Sequence, residues 1–229
     1  MISKRLFTDF DGPIMDVSAR YFKVYQDCLE RIRLPQQKIT SLTKTQFWQM
    51  KRSQIPETEI ARQSGLIEKG QAQEFAELRR AIIHTAPYFV YDRLIENAIA
   101  ALEIAENAGI ELAVITMRRQ RELEPVLRYY QLNRFFPLER RFYLQNEYQK
   151  TGDTLDKPLL MAKAIAILPY VEKQWIVGDT EADILAGKRF RLQTIGILSG
   201  IRDEYQLRLQ NPDRILPDLK TAICQIISA

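Results

Sequence analysis

The stretch Leu6-Phe7-Thr8-Asp9-Phe10-Asp11-Gly12-Pro13-Ile14-Met15-Asp16 decides the reading of this chain. A short apolar run, "RLFTDF" from Arg5, ends in two carboxylates two residues apart, and a glycine follows directly. Like charges repel and glycine weakens regular structure, so such a strand end needs another reason to exist. Three more runs of strand character lie downstream: "IELAVIT" ending at Thr116, "KQWIVGD" ending at Asp179, and "LQTIGIL" from Leu192. Each adjoins a segment of helical periodicity, the alternation of a parallel sheet covered by helices on both faces. The expected class is α/β, a Rossmann-like three-layer core.

Helices are expected over 92–108, 121–130, 159–168 and 182–190, the first stopped by Gly109. Between about Val17 and Tyr91 the texture changes. Apolar residues such as Tyr21, Val24, Tyr25, Leu29, Phe47, Trp48, Ile60, Leu66, Phe75, Leu78 and Ile82 recur at three- and four-residue spacing, and no strand is evident. The chain therefore divides into a core of residues 1–16 and 92–229 and a helical insert of residues 17–91. The section 137–158 is polar and turn-rich and is expected to be irregular surface chain.

Composition narrows the function classes. With 229 residues, 46% hydrophobic and 27% charged, the chain can bury a substantial core. The net charge of +4 suits an anionic small molecule or weak nucleic-acid contact and selects neither. Cys28 and Cys224 are far apart with no CxxC pairing, so the expectation is two reduced, buried thiols. The first residues, "MISKRLFTDFDG", lack a signal-peptide h-region, and no apolar run approaches the about 18 residues of a membrane span. A soluble, cytoplasmic protein is expected.

In a parallel sheet ligands gather at the carboxyl ends of the strands. Asp9, Thr116 and Asp179 each close a strand, and Lys157 precedes Pro158 and the next helix. Gathered at one edge they would make a costly anionic cluster, for which a hard divalent cation held by oxygens is the natural counter-charge.

This set resembles the four motifs of the haloacid dehalogenase (HAD) superfamily. "DFDGPIMD" resembles motif I, DxDG(T/V)xxD; Thr116 closing "LAVIT" looks like motif II; Lys157 in "LDKP" looks like motif III; and "VGDTEAD", with Asp179 and Asp183, is similar to the GDxxxD form of motif IV. The likeness runs from Leu6 to about Leu219, and the insert after the first strand resembles a C1 helical cap.

The resemblance implies a role for each matched position. Asp9 would be the nucleophile that forms an aspartyl-phosphate, and Asp11 the general acid and then base. Mg²⁺ would be bound by Asp9, by the Asp11 carbonyl and by Asp179, with Asp183 orienting one of its waters. Thr116 and Lys157 would bind the phosphoryl group, and Gly12 would let the turn's amides face it. Arg118, two residues after Thr116, is a candidate substrate ligand. The implied activity is a phosphatase for a small phosphorylated metabolite, similar to the phosphoglycolate phosphatase and β-phosphoglucomutase group, with no nucleic-acid or membrane partner and the oligomeric state open.

Two alternatives remain: a phosphomutase of the β-phosphoglucomutase type using the same residues, and a non-catalytic binding protein of this fold. Pro13, Met117 and the pair Phe190-Arg191 depart from the family pattern without touching the reactive positions. A phosphonate hydrolase would need a Schiff-base lysine in the insert, and nothing in the sequence marks Lys23, Lys38, Lys44, Lys51 or Lys69 for that. His84, the single histidine, reads as structural, as do Trp48, Phe47 and Tyr21 inside the insert and Trp175 in a core strand.

Overall fold

The computed structural model describes residues 4–229; residues 1–3 of the expected core segment lie outside the described ones. In chain order the elements are β1 (Lys4–Thr8), β2 (Met15–Asp16), α1 (Ser18–Ile32), α2 (Lys44–Arg52), α3 (Glu57–Gln63), α4 (Gln71–Ile82), α5 (Ala86–Phe89), β3 (Arg93–Leu94), α6 (Ala98–Asn107), β4 (Glu111–Arg119) and α7 (Gln120–Tyr129). They continue with β5 (Arg141–Leu144), α8 (Asp153–Ile167), β6 (Lys173–Gly178), α9 (Glu181–Arg189), β7 (Gln193–Ile197), α10 (Glu204–Leu209), β8 (Arg214–Leu216) and α11 (Leu219–Ser228).

The chain forms two units. The first takes in the chain through Asp16, then Leu94–Gly200 and Glu204–Ala229. It is built on a six-stranded parallel sheet in the order β5-β4-β1-β6-β7-β8. After β1 the chain builds outward through β4 and β5, then returns to the other side of β1 for β6, β7 and β8. The order therefore reverses at β1, and the crevice at such a reversal is where open parallel sheets bind ligands. Phe7, Ala113, Ile115 and Ile176 pack on one face with Met161 and Ala164 of α8 and Ala186 of α9. Alternation sends their neighbours Leu6, Leu112, Val114, Trp175 and Val177, all buried, to the other face. The α/β core with a parallel sheet is as the sequence implies.

Several boundaries differ from the sequence expectation for identifiable reasons. The helix expected from Asp92 starts only at Ala98, because Arg93–Leu94 form β3 and Asn97 takes a left-handed conformation (φ 66°) at the N-cap. The segment expected to be irregular contains β5, whose Phe142 and Leu144 are buried while Arg141 and Tyr143 alternate with them. Four residues beside an arginine pair are too few to announce a strand. The next helix begins at Asp153, not Leu159, so Lys157 and Pro158 lie inside it. Pro158, lacking an N–H, removes one helix bond there. Cys28 is buried as expected, whereas Cys224 is exposed on α11.

The second unit comprises Val17–Arg93 and Ile201–Asp203, the latter triplet falling in the core by the sequence reading. Its regular structure is α1 to α5, ending at Arg93 of β3, and its interior joins Val24, Tyr25, Leu29, Phe47, Ile60, Leu66 and Phe75, with Tyr21 and Trp48 packed against them. Asp203 is tied in by its N–H to the Arg52 carbonyl (3.1 Å) and by Ser53 Oγ (2.7 Å). Lys51 is half-enclosed beside Glu57, and Arg79 also lies 3.0 Å from Glu57. Burial, with Arg79 adding to it against Glu57, pulls the Lys51 ammonium down to about 8. An open pocket of about 620 Å³ within this unit is lined by Lys44, Trp48, Gln49, Arg52 and Asp203 among others.

One buried ion pair ties the two ends of this unit together. Arg20 of α1, 0% exposed, lies 2.9 Å from Asp92, 2% exposed, and its guanidinium stacks 5.0 Å over the Phe89 ring. Removing one partner strands a charge in the interior, which costs about 3–5 kcal/mol. Asp92→Ala should therefore lower the unfolding free energy in urea by about that much; a loss below about 1 kcal/mol would show the pair to be energetically idle.

Candidate active site

Register brings the reactive residues to one level. Thr8 of β1 pairs with Val114 of β4 and with Val177 of β6, so Asp9, Thr116 and Asp179 emerge together at the carboxyl edge of three adjacent strands. The Asp9 amide donates to the Val177 carbonyl (2.9 Å), carrying the sheet ladder one residue beyond β1. The Asp9 carboxylate accepts from the Phe10 N–H at Oδ1 (2.7 Å) and lies against the Lys157 ammonium at Oδ2 (2.6 Å).

Lys157 comes from the second turn of α8, which is set in place by Asp156. That carboxylate accepts from Thr151 N (2.9 Å), Thr151 Oγ1 (2.6 Å), Gly152 N (3.2 Å) and the Tyr148 hydroxyl (2.9 Å). Lys157 is 1% exposed and also lies 2.5 Å from Asp183 Oδ1. Asp183 is the N3 residue of α9 and takes part in a capping box: its Oδ2 accepts from Thr180 N (3.2 Å) and Thr180 Oγ1 (2.7 Å). It thus caps a helix and faces the lysine at once.

Asp9, Asp179 and Asp183 present oxygens all within 4.8 Å of one another. Burial pushes the Asp9 carboxyl well above its ordinary value, Lys157 opposes this, and Asp183 and Asp179 reinforce it. Burial pulls Lys157 down, but Asp183 and then Asp9 more than reverse the effect, so it stays protonated. Three buried carboxylates against one ammonium leave an excess of negative charge. An all-oxygen donor set with that excess fits a hard divalent cation.

Glycines make the room. A Cβ on Gly200 would stand 1.8 Å from Asp179 Oδ2, and one on Gly12 would stand 2.3 Å from Asp179 Cγ. Gly12 also has φ +93°, a left-handed turn that favours glycine. The Asp183 side chain occupies the corresponding space over Gly178, at 2.0 Å. Of these glycines Gly12 and Gly178 fall within the motifs read from the sequence. Gly200 lies outside every motif, and no pattern announces it.

β4 does not end at Thr116. Its pairing with β5 shifts between Ile115 and Arg119, and the strand runs on through Arg118. Inside this shift the Arg118 N–H donates to Thr116 Oγ1 (3.2 Å). That uses a lone pair of the hydroxyl and leaves its proton available to donate. The Arg118 side chain, the candidate substrate ligand, lies 2.6 Å from Asp11 Oδ1 and is 1% exposed. Asp11 keeps 26% exposure, so its carboxyl belongs to a separate ion pair and not to the cluster of three acids. Arg119 donates to the carbonyls of Asn146 and Tyr148 and so holds the loop leading to α8. His84 lies 3.4 Å from Arg20 in the second unit.

Comparison with known proteins agrees with this geometry. Residues 156–222 match the HAD-hydrolase-like family profile. A curated relative named "Probable phosphoglycolate phosphatase" from Pseudomonas putida is 25% identical over 125 residues, which are 52% of this chain and 45% of that one, so the chain spans about half the length of the curated relative it matches. Among solved structures, one given as a phosphatase of Clostridium difficile superposes with a TM-score of 0.74 at 18% identity over 99% of both chains. One given as a β-phosphoglucomutase of Thermotoga maritima does so with a TM-score of 0.61 at 18% identity, again over 99% of both. The fold is that of these solved structures, and the resemblance drawn from the sequence is borne out by the HAD-hydrolase-like profile and the phosphatase-named relative.

Asp156 is the residue here whose effect can be read directly. Its hydrogen bonds hold the carboxyl below the ordinary value of 3.8 even though burial opposes them. A carboxyl depressed in the folded state adds stability that is complete above the unfolded value and lost as pH falls through the folded one. Asp156→Asn should then cost about 1–3 kcal/mol at pH 7, and the difference from wild type should shrink as pH falls below 3.8 through the folded value. A difference that persists unchanged at pH 3 would contradict the ionised cap.

Proposed function

We propose that this protein is a Mg²⁺-dependent phosphatase that hydrolyses a small phosphomonoester through an aspartyl-phosphate on Asp9. The observation that carries the reading is the convergence of Asp9, Lys157, Asp183 and Asp179 at the reversal point of the sheet, with Asp11 and Thr116 beside them. The family profile and the phosphatase-named relative support the same class.

In this reading an oxygen of Asp9 attacks phosphorus and the ester P–O bond breaks. Asp11, which must be protonated when substrate binds even though Arg118 favours its ionised form, gives that proton to the departing oxygen. A water molecule then attacks the phosphorus of the acyl phosphate, Asp11 takes the proton back, and orthophosphate leaves with Asp9 restored. Lys157 balances charge on Asp9 and on the transferring group, and the Thr116 hydroxyl donates to a phosphoryl oxygen. Asp9 and Asp179, with the carbonyl of Asp11, would hold Mg²⁺, and Asp183 would steady their surroundings. A cation held by these residues would supply positive charge against the carboxylates and the phosphoryl group.

The pocket of about 620 Å³ in the helical unit, with Lys44 and Arg52 among its residues, is of a size for a small anionic molecule. The β-phosphoglucomutase among the structures of like fold favours one second reading, a phosphomutase. There the phosphoryl on Asp9 would pass to a sugar hydroxyl, not to water. Product analysis with a sugar monophosphate separates the two, since isomerised sugar phosphate without free phosphate would exclude hydrolysis.

A phosphate-release assay over a panel of phosphomonoesters tests the reading. Activity should require added Mg²⁺, disappear with EDTA and fall by about 10³-fold or more in Asp9→Asn. Release that survives Asp9→Asn unchanged would overturn it. Gly200→Ala, which drives a methyl into Asp179, should raise the Mg²⁺ concentration for half-maximal activity by about 10-fold or more while the KM for substrate moves little.

A further inference from the structure

Arg118 carries an inference about this chain that no family resemblance supplies. Its guanidinium is buried against Asp11 and the Phe10 ring. Nε donates to Asp11 Oδ1 at 2.8 Å and Nη2 lies 2.6 Å from the same oxygen. The Phe10 ring lies 5.1 Å away from the guanidinium carbon, and the side chain is 1% exposed. The backbone of the same residue is fixed by Thr116 Oγ1. A side chain so buried lies behind Asp11, and solvent reaches the acid but not the arginine. Phe10 links the two acids of the motif, its amide holding Asp9 and its ring flanking the arginine that holds Asp11.

We propose that Arg118 is the positioning residue for Asp11: it fixes the direction from which that carboxyl meets the leaving oxygen and makes no contact with substrate. Two nitrogens of a planar guanidinium converge on one carboxylate oxygen here, so Oδ1 is held in place and the other oxygen is the one turned to the leaving group in this proposal. The inference rests on the phosphatase reading, because it presumes that Asp11 transfers the proton.

The test exploits leaving groups of like size and unlike acidity. p-Nitrophenolate departs without help, whereas phenolate needs a proton. Arg118→Met should lower kcat on phenyl phosphate by about 30–100-fold and on p-nitrophenyl phosphate by less than about 5-fold, with KM for both within about 3-fold of wild type. Asp11→Asn should show the same selectivity, and the double variant Arg118→Met/Asp11→Asn should lose little beyond Asp11→Asn alone. Arg118→Lys, which keeps a cation but not the fork, should give an intermediate selective loss of about 5–10-fold on phenyl phosphate, and it serves as the reading if the methionine variant does not fold.

Equal losses on both substrates, with or without a rise in KM, would overturn the proposal. Equal losses with a rise in KM mark a phosphate ligand, and equal losses without one mark a structural residue. Losses that add in the double variant would overturn it as well. Wild-type protein that releases phosphate from neither compound, or does so in Asp9→Asn, removes the phosphatase reading itself, a failure visible before any Arg118 variant is assayed.

Discussion

An ammonium enclosed between two carboxylates governs this molecule. Lys157, 1% exposed, lies 2.6 Å from Asp9 and 2.5 Å from Asp183, and Asp179 joins the same cluster. None of these charges could be buried alone, since an unpaired ion in the interior costs several kcal/mol. Each chain segment is therefore held to the others by electrostatic necessity: β1 through Asp9, α8 through Lys157, and the β6–α9 turn through Asp179 and Asp183. The sheet order places β1 between β4 and β6, which lets all these segments reach a single point. Three carboxylates thus share one enclosure with one ammonium, an all-oxygen surrounding of the kind that suits a hard divalent cation.

Local devices then protect the arrangement. Asp183 spends one oxygen on the Thr180 cap and offers the other to Lys157, so helix start and charge pairing cannot be separated. Asp156 does likewise for α8, collecting donors from Thr151, Gly152 and Tyr148 one residue before the lysine. Gly12, Gly178 and Gly200 surrender their side-chain volume to the acids. Replacing any of them would leave the charges present and move them apart, which differs physically from deleting a charge.

What the sequence disclosed and what it hid follow from this division. Asp9, Thr116 and Asp179 could be read because each ends an apolar run, and register does the rest. Lys157 could be read only by its order among the motifs, because its helix begins earlier than periodicity suggests, at Asp153 instead of Leu159. β5 was hidden by its four-residue length, and β8, with three residues, by the same shortness. Gly200 and Asp156 were hidden because their work is to make space or donate order for another residue, and such work leaves no pattern in the chain itself. Cys224 went astray because a thiol's average preference for the interior says nothing about the helix face it occupies.

Arg118 shows the same limit from the other direction. An arginine two residues beyond Thr116 reads naturally as a ligand for an anion outside, yet the anion it meets is inside the protein. Asp9 and Asp11 are two residues apart and would repel if both faced one another. They are given different counter-ions, a lysine from α8 and an arginine from β4, of different geometry. An ammonium is a point charge that tolerates attack on phosphorus by its partner, whereas a guanidinium fork fixes a plane. A nucleophile must leave its resting contact to form a bond to phosphorus, and an acid must hold one direction while the leaving oxygen passes. On the proposed roles, a lysine suits the first carboxylate and an arginine the second.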